Sequence, residues 1–409
     1  MLSKKDNERL TRVGPDTPMG ELMRRYWVPA AFSHQLTTDG APVRVKLLCE
    51  RLVAFRDTKG RVGLVDERCP HRTASMYFGR NEDCGLRCVY HGWKFDIDGK
   101  CVDLPSEPAG SKLASKVSIK AYPCVERGGV VWTYMGPLQE KPEFPDLEWT
   151  RLPESHRLVS RHIQECNWLQ GFEGGFDTSH LSFLHSGTAD HDMRVVPSRY
   201  EVVPTDFGFV AGTGRELGEG EIGWTANVML MPFHKIIASV PAGAHVWAPM
   251  DDENTMLYSV DFNAERPFSE EELHRSKSYR GIHTENIPGT DRAKANKDND
   301  YLIDRELQAG GSSYTGMKGL GVQDCGIQES MGAIADRTVE HLGISDTAII
   351  KIRKLLLKTL KDHASGRPLP GLHAKNYRVR SARFKTAKGV PFARDMRAHV
   401  DIEALIAAE

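Results

Sequence analysis

Short apolar runs alternate with turn residues in the first third of this chain, and this pattern predicts β structure. Between about residues 43 and 135, β-branched and aromatic runs such as "VRVKLLCE", "RLVAFRD" and "GGVVWTYMG" are separated by Gly, Asp and Pro. Such a pattern predicts a small antiparallel β-sandwich. Residues 3–25 precede it and predict two short helices, because Ser3 and Asp6 have the spacing of a capping box.

The pattern of apolar and polar residues changes after the segment "GPLQEKPEFPDLEW", whose prolines and charges are typical of a domain boundary. We place the boundary there, with a first domain of residues 1–145 and a second of residues 146–409. Strand-like runs in the second domain, from "SRYEVVP" to "TMLYSVDF", predict one larger sheet. Strands and helices that are segregated in this way predict the α+β class.

The last long periodic segment, "SDTAIIKIRKLLLKTLKDH", predicts an amphipathic helix. Its apolar side chains recur at positions 349, 352, 356 and 360, which lie on one face of a helix. Ser345 stands immediately before this pattern, so we expect it to be the N-cap.

Composition narrows the possible environments and partners. Apolar residues make up 40% of the chain, charged residues 27%, and the net charge is -1, so neither nucleic acid nor a membrane surface is favoured as a partner. The chain begins "MLSKKDNERL", which lacks the apolar core of a signal peptide, and we expect a cytoplasmic protein. Eight cysteines are too few for a disulfide scaffold in a chain of this length. Those that cluster are therefore better interpreted as metal ligands.

Two short loops carry the first candidate metal site. In "CPHRTASMYFGRNEDCGLRCVYHGW", Cys69 and His71 are followed by Cys88 and His91, so that each loop offers one thiolate and one imidazole. Common zinc modules pair Cys with Cys and His with His, whereas a Rieske [2Fe-2S] cluster takes one Cys and one His from each loop. A zinc site or a chance grouping remains the alternative. Cys84 has no partner cysteine nearby, and we interpret it as a loop thiol.

The stretch "DTSHLSFLH" carries the second candidate site. Asp177, His180 and His185 have the chemistry of a two-histidine, one-carboxylate iron site. On a regular helix, however, Asp177 and His180 lie about 60° apart and the two histidines about 140° apart. Convergence of the histidines therefore requires a π-type turn or a helix end. Asp177 is better placed to accept a ring N–H from a ligating histidine. A capped helix with solvated polar residues is the alternative.

With these two motifs, the chain resembles the oxygenase (alpha) component of Rieske non-haem iron aromatic oxygenases, of the phthalate 4,5-dioxygenase type. The resemblance extends over nearly the whole chain, from "ERLTRVGPDTPMGELMRRYW" to "QDCGIQESMGAIADRTVEHLG". It implies an N-terminal Rieske antiparallel β-sandwich domain. It also implies a C-terminal helix-grip catalytic domain, an antiparallel sheet with covering helices.

The resemblance also implies two metal centres. The [2Fe-2S] cluster is assigned to Cys69, His71, Cys88 and His91. Mononuclear Fe(II) is assigned to His180 and His185, with a third ligand far downstream. Within and beyond "GVQDCGIQES", Asp324 matches the position of this carboxylate, and the alternatives are Glu329 and Asp336.

The remaining implied roles concern electron transfer and assembly. The resemblance implies a homotrimer, alone or stacked as a hexamer, in which His91 of one subunit approaches Asp177 of the next. Asp177 then bridges the cluster to the iron ligand His180. Asn167 resembles a residue next to the iron.

Function follows from the resemblance as an expectation. O2 is the co-substrate, and electrons from NADH arrive through a separate flavin and iron-sulfur reductase, because "GFEGGF" is not a dinucleotide fingerprint. The expected reaction is hydroxylation of a small, carboxylated aromatic compound. The alternatives are O-demethylation of methoxylated aromatic acids such as vanillate or dehydrodivanillate, and a non-catalytic Rieske electron carrier or zinc-binding protein.

The sequence does not identify the substrate-binding residues. Arg199, Arg215 and Lys235 lie on predicted strands of the catalytic sheet and are candidates for anchoring a carboxylate. Each has the alternative of an ordinary solvated strand residue.

Overall fold

A computed structural model describes residues 1–186, 195–278 and 281–401, which fall into two units. The smaller unit comprises Gly14–Asp16 and Gly20–Phe144, and the larger one comprises Met1–Val13, Thr17–Met19 and Pro145–Glu409.

The first helix, α1 (Lys4–Thr11), belongs to the larger unit, which differs from the division at residue 145. Ser3 caps it as predicted, since its Oγ accepts a hydrogen bond from Asp6 N at 3.1 Å. At its other end, Leu10 O accepts from Trp168 Nε1 at 3.1 Å and Thr11 O accepts from Asn167 Nδ2 at 2.9 Å. These buried bonds explain why α1 belongs with a segment more than 150 residues away.

The smaller unit is built from antiparallel strands, as predicted. A second helix, α2 (Pro18–Met23), precedes them. The strands are β1 Trp27–Phe32, β2 Val43–Leu47, β3 Glu50–Arg56, β4 Val62–Asp66, β5 Arg80–Glu82, β6 Gly85–Arg87, β7 Lys94–Phe95, β8 Cys101–Asp103, β9 Ala121–Tyr122, β10 Cys124–Arg127 and β11 Val130–Tyr134. They form three sheets with the orders β2-β3-β4-β9, β5-β6-β7-β8 and β1-β11-β10.

The core of the smaller unit reaches the cluster loops. Phe55, Leu86 and Phe95 are fully buried and pack in one apolar cluster with Cys69 and Cys88. Cys69 comes three residues after the end of β4, and Cys88 comes directly after β6. The sheets therefore fix the backbone on the N-terminal side of each cysteine. The thiols therefore lie at the rim of a packed core.

One twisted sheet organises the larger unit. Its strands are β12 Arg157–Gln164, β13 Arg199–Pro204, β14 Gly208–Gly218, β15 Glu221–Leu230, β16 His234–Ile237, β17 Ala242–Pro249, β18 Thr255–Phe262 and β19 Ala382–Ala387. The order is β12-β18-β17-β16-β15-β14-β13, with β19 paired to β15, and all pairs are antiparallel. Sequence analysis found five of these strands and missed β12, β17 and β19, which are rich in Ala, Gly or charged residues.

Helices of the larger unit accompany this sheet. After residue 145 they are α3 Glu148–Arg151, α4 Trp168–Phe176, α5 Glu270–Lys277, α6 Arg305–Ala309, α7 Leu320–Ser330, α8 Thr347–Ala364 and α9 Phe392–Val400. Helix α4 packs on β17, and α8 packs on β13. The predicted α+β class, with an antiparallel sheet and covering helices in the second domain, is confirmed. Within the described residues, no helix is long and apolar enough to cross a membrane.

Helix α8 has the predicted buried face but a different start. The four predicted apolar positions are buried, and they are Ile349, Ile352, Leu356 and Leu360. Ser345 is not the N-cap. A 3-10 turn over Ile344–Asp346 precedes the helix, and Asp346 takes the cap position, where its carboxylate accepts from Gly343 N at 2.6 Å. The acidic side chain closes this turn through a bond that a serine hydroxyl is too short to make.

Candidate metal centres

The two cluster loops have the same backbone closure. Cys69 O accepts a hydrogen bond from Thr73 N at 2.8 Å, and Cys88 O accepts from Gly92 N at 2.9 Å. Thr73 and Gly92 therefore occupy equivalent positions, and both have left-handed φ angles of 59° and 78°. Glycine is required at the second position, because a Cβ there would lie 2.5 Å from Pro105 Cγ.

Two imidazoles lie beside the buried thiols. The ring centroids of His71 and His91 are 4.4 Å apart with an interplanar angle of 72°. His71 stacks on Trp93 at 4.4 Å, and Tyr90 lies 3.8 Å from His91. Partial burial and the neighbouring His71 and Arg72 lower the pKa of His91, which favours the neutral imidazole that binds a metal.

The donor set fits a Rieske cluster. Cys69 and Cys88 are buried to 1% and 2% exposure, whereas His71 is exposed and His91 is half-buried, so the imidazoles lie nearer the surface than the thiols. Burial raises the pKa of the Cys69 thiol, and the backbone N–H groups of His71 and Arg72 oppose this by donating to the sulfur. Such N–H···S bonds stabilise thiolates that ligate iron. Cys84 lies elsewhere, in a turn where its N–H donates to Thr58 Oγ1 at 3.0 Å.

The second site forms where α4 ends. Asp177 is the C-cap of α4, and its N–H donates to Glu173 O at 3.1 Å. A 3-10 turn over His180–Ser182 follows, so the chain leaves the helix between Asp177 and His180. Of the two irregularities predicted, the helix end is the one present. It brings the rings of His180 and His185 to 5.0 Å at an angle of 80°.

Asp324 on α7 meets both histidines. Its Oδ1 lies 3.5 Å from His180 Nε2 and 3.2 Å from His185 Nε2, and the three possible ligand atoms lie within 4.8 Å of one another. Oδ1 is buried and makes no hydrogen bond of ordinary geometry. A bare buried carboxylate oxygen between two imidazole nitrogens fits a divalent cation such as Fe(II).

Electrostatics couple these groups. Burial acts to lower the pKa of His185, but the charge of Asp324 at 3.2 Å and the hydrogen bond to Gln323 outweigh it and raise this pKa. Burial likewise opposes ionisation of Asp324, yet the two histidines lower its pKa. Burial dominates at His180 and lowers its pKa. The carboxylate is therefore ionised and attracts positive charge to the space between the rings.

Gln323 fixes the orientation of His185. Its Nε2 donates to Met317 O at 2.9 Å, so its Oε1 is the atom that lies 2.7 Å from His185 Nδ1. An amide oxygen accepts only, and Nδ1 must carry the proton. The lone pair of His185 Nε2 then faces Asp324, which is the tautomer that a metal needs. Sequence analysis missed Gln323, although it directly precedes the predicted ligand.

The alternative third ligands lie elsewhere. Glu329 accepts hydrogen bonds from Tyr301 Oη at 2.7 Å and from Glu165 N at 3.0 Å. Asp336 is exposed and accepts from Thr338 N and Oγ1. Within the described residues, Asp324 is the carboxylate that joins both histidines.

Asn167 has a different role from the one expected. It is the N-cap of α4, where its Oδ1 accepts from Leu169 N at 3.1 Å. Its Nδ2 donates to Thr11 O at 2.9 Å and to Asp252 O at 2.7 Å. The amide oxygen and both amide hydrogens are engaged in these bonds. Asn167 therefore stabilises the start of α4 and does not direct its amide to the iron site. The sequence showed only its proximity to "DTSHLSFLH" and not the direction of its side chain.

A pocket of about 530 Å³ opens beside the histidines and Asp324. Trp247, Leu257 and Ile237 supply apolar walls. Of the proposed anchors Arg199, Arg215 and Lys235, only Lys235 lines this pocket. Its other polar wall residues were not predicted from the sequence, because they belong to no motif. They include Asn227, His245, Asp261, Arg275 and Arg383. Of these five, all but Arg275, which is on α5, lie on strands.

Two protein-family models match this chain. Residues 26–123 match the Rieske [2Fe-2S] domain, and residues 133–200 and 227–403 match the LigXa C-terminal domain like family. The chain is 38% identical to the 3-chlorobenzoate-3,4-dioxygenase oxygenase subunit of Comamonas testosteroni, over 95% of this chain and 96% of that protein. It is 37% identical to the phthalate 4,5-dioxygenase oxygenase subunit of Pseudomonas putida, over 94% and 92%.

A further relative and two solved structures extend the comparison. The chain is 33% identical to the 5,5'-dehydrodivanillate O-demethylase oxygenase subunit of Sphingobium sp., over 90% of this chain and 82% of that protein. Dicamba monooxygenase bound to dicamba has a TM-score of 0.61 at 19% identity, over 84% of this chain and 99% of the other. An oxygenase and ferredoxin complex of carbazole 1,9a-dioxygenase has a TM-score of 0.60 at 20% identity, over 89% and 98%. These two structures share the fold.

Proposed function

The chain belongs to the oxygenase (alpha) subunits of the Rieske non-haem iron oxygenases, and we propose that it hydroxylates a small carboxylated aromatic compound. The observation that carries this proposal is the meeting of His180, His185 and Asp324 on the wall of a partly apolar pocket. A Rieske electron carrier needs no substrate pocket beside a second metal site. Membership of the oxygenase family separately excludes both a bare electron carrier and a zinc-binding protein.

We assign the metal ligands to the residues predicted from the sequence. Cys69, His71, Cys88 and His91 would hold the [2Fe-2S] cluster, and the group formed by His180, His185 and Asp324 would hold Fe(II). When bound, the cluster supplies single electrons, and Fe(II) binds and activates O2.

The chain's own residues position the reactants. Gln323 keeps His185 in the ligating tautomer, and Asp324 brings α7 against the 3-10 turn of His180. Trp247 and Leu257 provide apolar surface against which an aromatic ring packs, and their contact excludes water from the reacting edge.

Asp177 is proposed as the electron bridge between subunits. Its Oδ1 accepts from Ser179 N at 3.1 Å and from Ser179 Oγ at 2.7 Å. Its Oδ2 accepts no hydrogen bond from the described residues, and Asp177 makes none with His180. Oδ2 is thus available for a ring N–H such as that of His91 from a neighbouring subunit. A homotrimer, alone or stacked as a hexamer, would supply that subunit through head-to-tail contacts.

The proposed electron source is NADH, through a separate flavin and iron-sulfur reductase. The named relatives are oxygenase subunits, and one structural neighbour is an oxygenase with a ferredoxin. Separate electron-transfer proteins are therefore the expected partners of this chain.

Two reactions fit the site. Ring dihydroxylation consumes the aromatic, O2, NADH and H⁺, and yields a cis-dihydrodiol and NAD⁺. O-demethylation consumes a methoxyarene with the same reagents, and yields a phenol, formaldehyde, water and NAD⁺. The higher identity to two dioxygenase subunits favours the first, and the 33% identity to an O-demethylase subunit supports the second.

A product assay with a surrogate reductase tests this proposal. The anaerobically purified protein should contain about three iron atoms per chain, from one cluster and one mononuclear site. Carboxylated and methoxylated aromatics are then screened for O2 uptake. Isotopically labelled O2 in both positions of a diol identifies a dioxygenase, and formaldehyde identifies a demethylase. Absence of aromatic-dependent O2 uptake, at full iron content and with a reduced cluster, would contradict the proposal.

A further inference from the structure

Three adjacent strands place polar side chains on the pocket wall. Asn227 lies on β15, Lys235 on β16 and His245 on β17, and all three line the cavity beside Asp324. Lys235 and His245 are direct partners in the β16–β17 register. Side chains of such partners stand next to each other on one face of a sheet. Asn227, Lys235 and His245 together form the polar floor of the pocket.

Lys235 is a cation without an ion-pair partner among the described residues. Its Nζ donates to Gly175 O, which leaves two of its three donor positions. Asp177 and Asp324 are near enough to act on its charge, but Asp177 is bonded to Ser179 and Asp324 lies between the two histidines. Burial lowers the pKa of Lys235 to about 8, so the side chain is still mainly charged at neutral pH. A half-buried charge without an ion-pair partner, on the wall of a pocket, points to a ligand.

The two neighbours of Lys235 also have unused polar atoms. His245 Nδ1 lies 3.2 Å from Ser259 Oγ, so the ring is fixed and Nε2 has no partner among the described residues. Asn227 is 4% exposed, and its side chain makes no hydrogen bond within the described part of the chain. Buried amides normally have partners, so both groups are expected to bond to whatever enters the pocket.

The charge balance of the pocket favours an anion. Its wall has three cationic side chains, Lys235, Arg275 and Arg383, and three carboxylates, Asp177, Asp261 and Asp324. Asp261 accepts from Ser276 Oγ at 3.0 Å, and His283 Nε2 lies 3.2 Å from the same oxygen. A divalent ion at Asp324 would make the pocket net positive.

We infer that Lys235, His245 and Asn227 form an oxyanion subsite that binds the carboxylate of an aromatic substrate and thereby sets which ring edge faces the iron site. This inference rests on the proposed function and deepens it. Trp247 lies two residues after His245 on β17, on the same face, and offers an apolar surface for the ring. One end of the substrate is thus held by charge and the other by packing.

Equilibrium binding of two probes of similar shape tests the subsite. Benzoate and benzamide are titrated calorimetrically into the anaerobic iron-loaded protein. Lys235→Met should weaken benzoate binding about tenfold or more and change benzamide binding less than about twofold, because a charge-assisted bond is lost only for the anion. Lys235→Arg should retain most of the benzoate affinity. Lys354→Met, an exposed helix position with the same change of charge, should leave both affinities unchanged.

The outcomes separate the two proposals. Iron content and the thermal unfolding midpoint establish that each variant is folded. Equal loss of both probes, or unchanged benzoate binding in Lys235→Met, overturns the subsite while the oxygenase proposal stands if aromatics still drive O2 uptake. If neither probe binds and no aromatic drives O2 uptake, the proposed aromatic function fails, and the subsite fails with it.

Discussion

The cluster loops and the iron site both offer ligands to a metal, but the ligands are close together in sequence at the first site and far apart at the second. The four candidate ligands of the cluster lie between Cys69 and His91, on two loops that share one turn geometry. The candidate ligands of the iron site extend in sequence from His180 to Asp324, and six strands, β13 to β18, lie between them. Local ligands depend on local turns, whereas distant ligands depend on the packing of helices. The two centres should therefore respond differently to single substitutions.

Removal of the distant carboxylate should have the largest effect. Asp324→Ala deletes the oxygen that both Nε2 atoms approach, so the mononuclear iron and the oxygenase activity should be lost. The cluster loops share no residue with this site, and the Rieske absorption should remain. Iron analysis should fall from about three to about two atoms per chain. Glu329→Gln is the control and should keep the full iron content. Retention of mononuclear iron in Asp324→Ala would transfer the ligand role to Glu329.

The proposed bridge should matter to electron transfer without affecting either metal. Asp177→Asn keeps the size of the side chain and its bond from Ser179, but an amide is a weaker acceptor for an imidazole N–H. Oxidation of the reduced cluster by the iron site, followed by stopped-flow absorbance, should slow about tenfold or more. Asp336→Asn, an exposed carboxylate, is the matched control. Full iron content with an unchanged rate in Asp177→Asn would remove the bridge assignment.

The difference between the two centres also explains what the sequence can predict. Cys69, His71, Cys88 and His91 could be predicted as cluster ligands because they lie in two short turns with a recognisable spacing. Asp324 could be predicted as an iron ligand only through resemblance to a family, since no local spacing links it to histidines about 140 residues earlier in the chain.

Errors arose where side-chain direction decides. Asn167 is close in sequence to His180, but its amide caps α4. His245 and Asn227 were not predicted as pocket residues, and β17 itself was missed because "AGAHVWAP" is poor in β-branched residues. Which polar strand residues face a pocket depends on strand order, which the sequence does not state.

Gln323 tests how the iron site is supported. Gln323→Leu removes the acceptor at His185 Nδ1 and releases the tautomer, so the affinity for Fe(II) should fall about tenfold. The ring of His185 stays buried, and the fold should be unaffected. A titration of the iron-free protein with Fe(II) measures this affinity. Gln139→Leu, at an exposed glutamine, is the control. Unchanged Fe(II) affinity in Gln323→Leu would show that packing alone orients His185.

The pH dependence of benzoate binding tests the charge of the polar floor. The pKa of Lys235 lies at about 8, below its ordinary value of 10.5, so its charge is lost as the pH rises through about 8. Benzoate affinity should fall about twofold at pH 8 relative to pH 6 and continue to fall above it. Asp177 and Asp324 are the carboxylates whose charges act on Lys235. Benzamide affinity should stay constant. A constant benzoate affinity from pH 6 to pH 9 would contradict binding by Lys235.

The smallest expected effect comes from the segment behind Asp324. Asp300, Tyr301 and Leu302 have left-handed φ angles of 49°, 54° and 53°, an unfavourable conformation that contacts must hold in place. The Tyr301 ring packs against Gly326 on α7, and its Oη donates to Glu329 at 2.7 Å. The cluster loops also contain left-handed residues, but those lie next to the ligands. Here the strain lies in another segment and holds the helix that carries the ligand.

Tyr301→Phe should therefore lower the free energy of unfolding by about 1 kcal/mol, because the buried acceptor on Glu329 loses its donor. If the segment only fills space behind α7, affinity for Fe(II) should not change. If it positions α7, the affinity should fall about two- to fivefold, while the Rieske absorption stays the same. Tyr314→Phe, at an exposed tyrosine, provides the control for loss of a hydroxyl. We expect the second result, since Gly326 lies only two residues from Asp324 and any shift of the ring moves that turn of the helix.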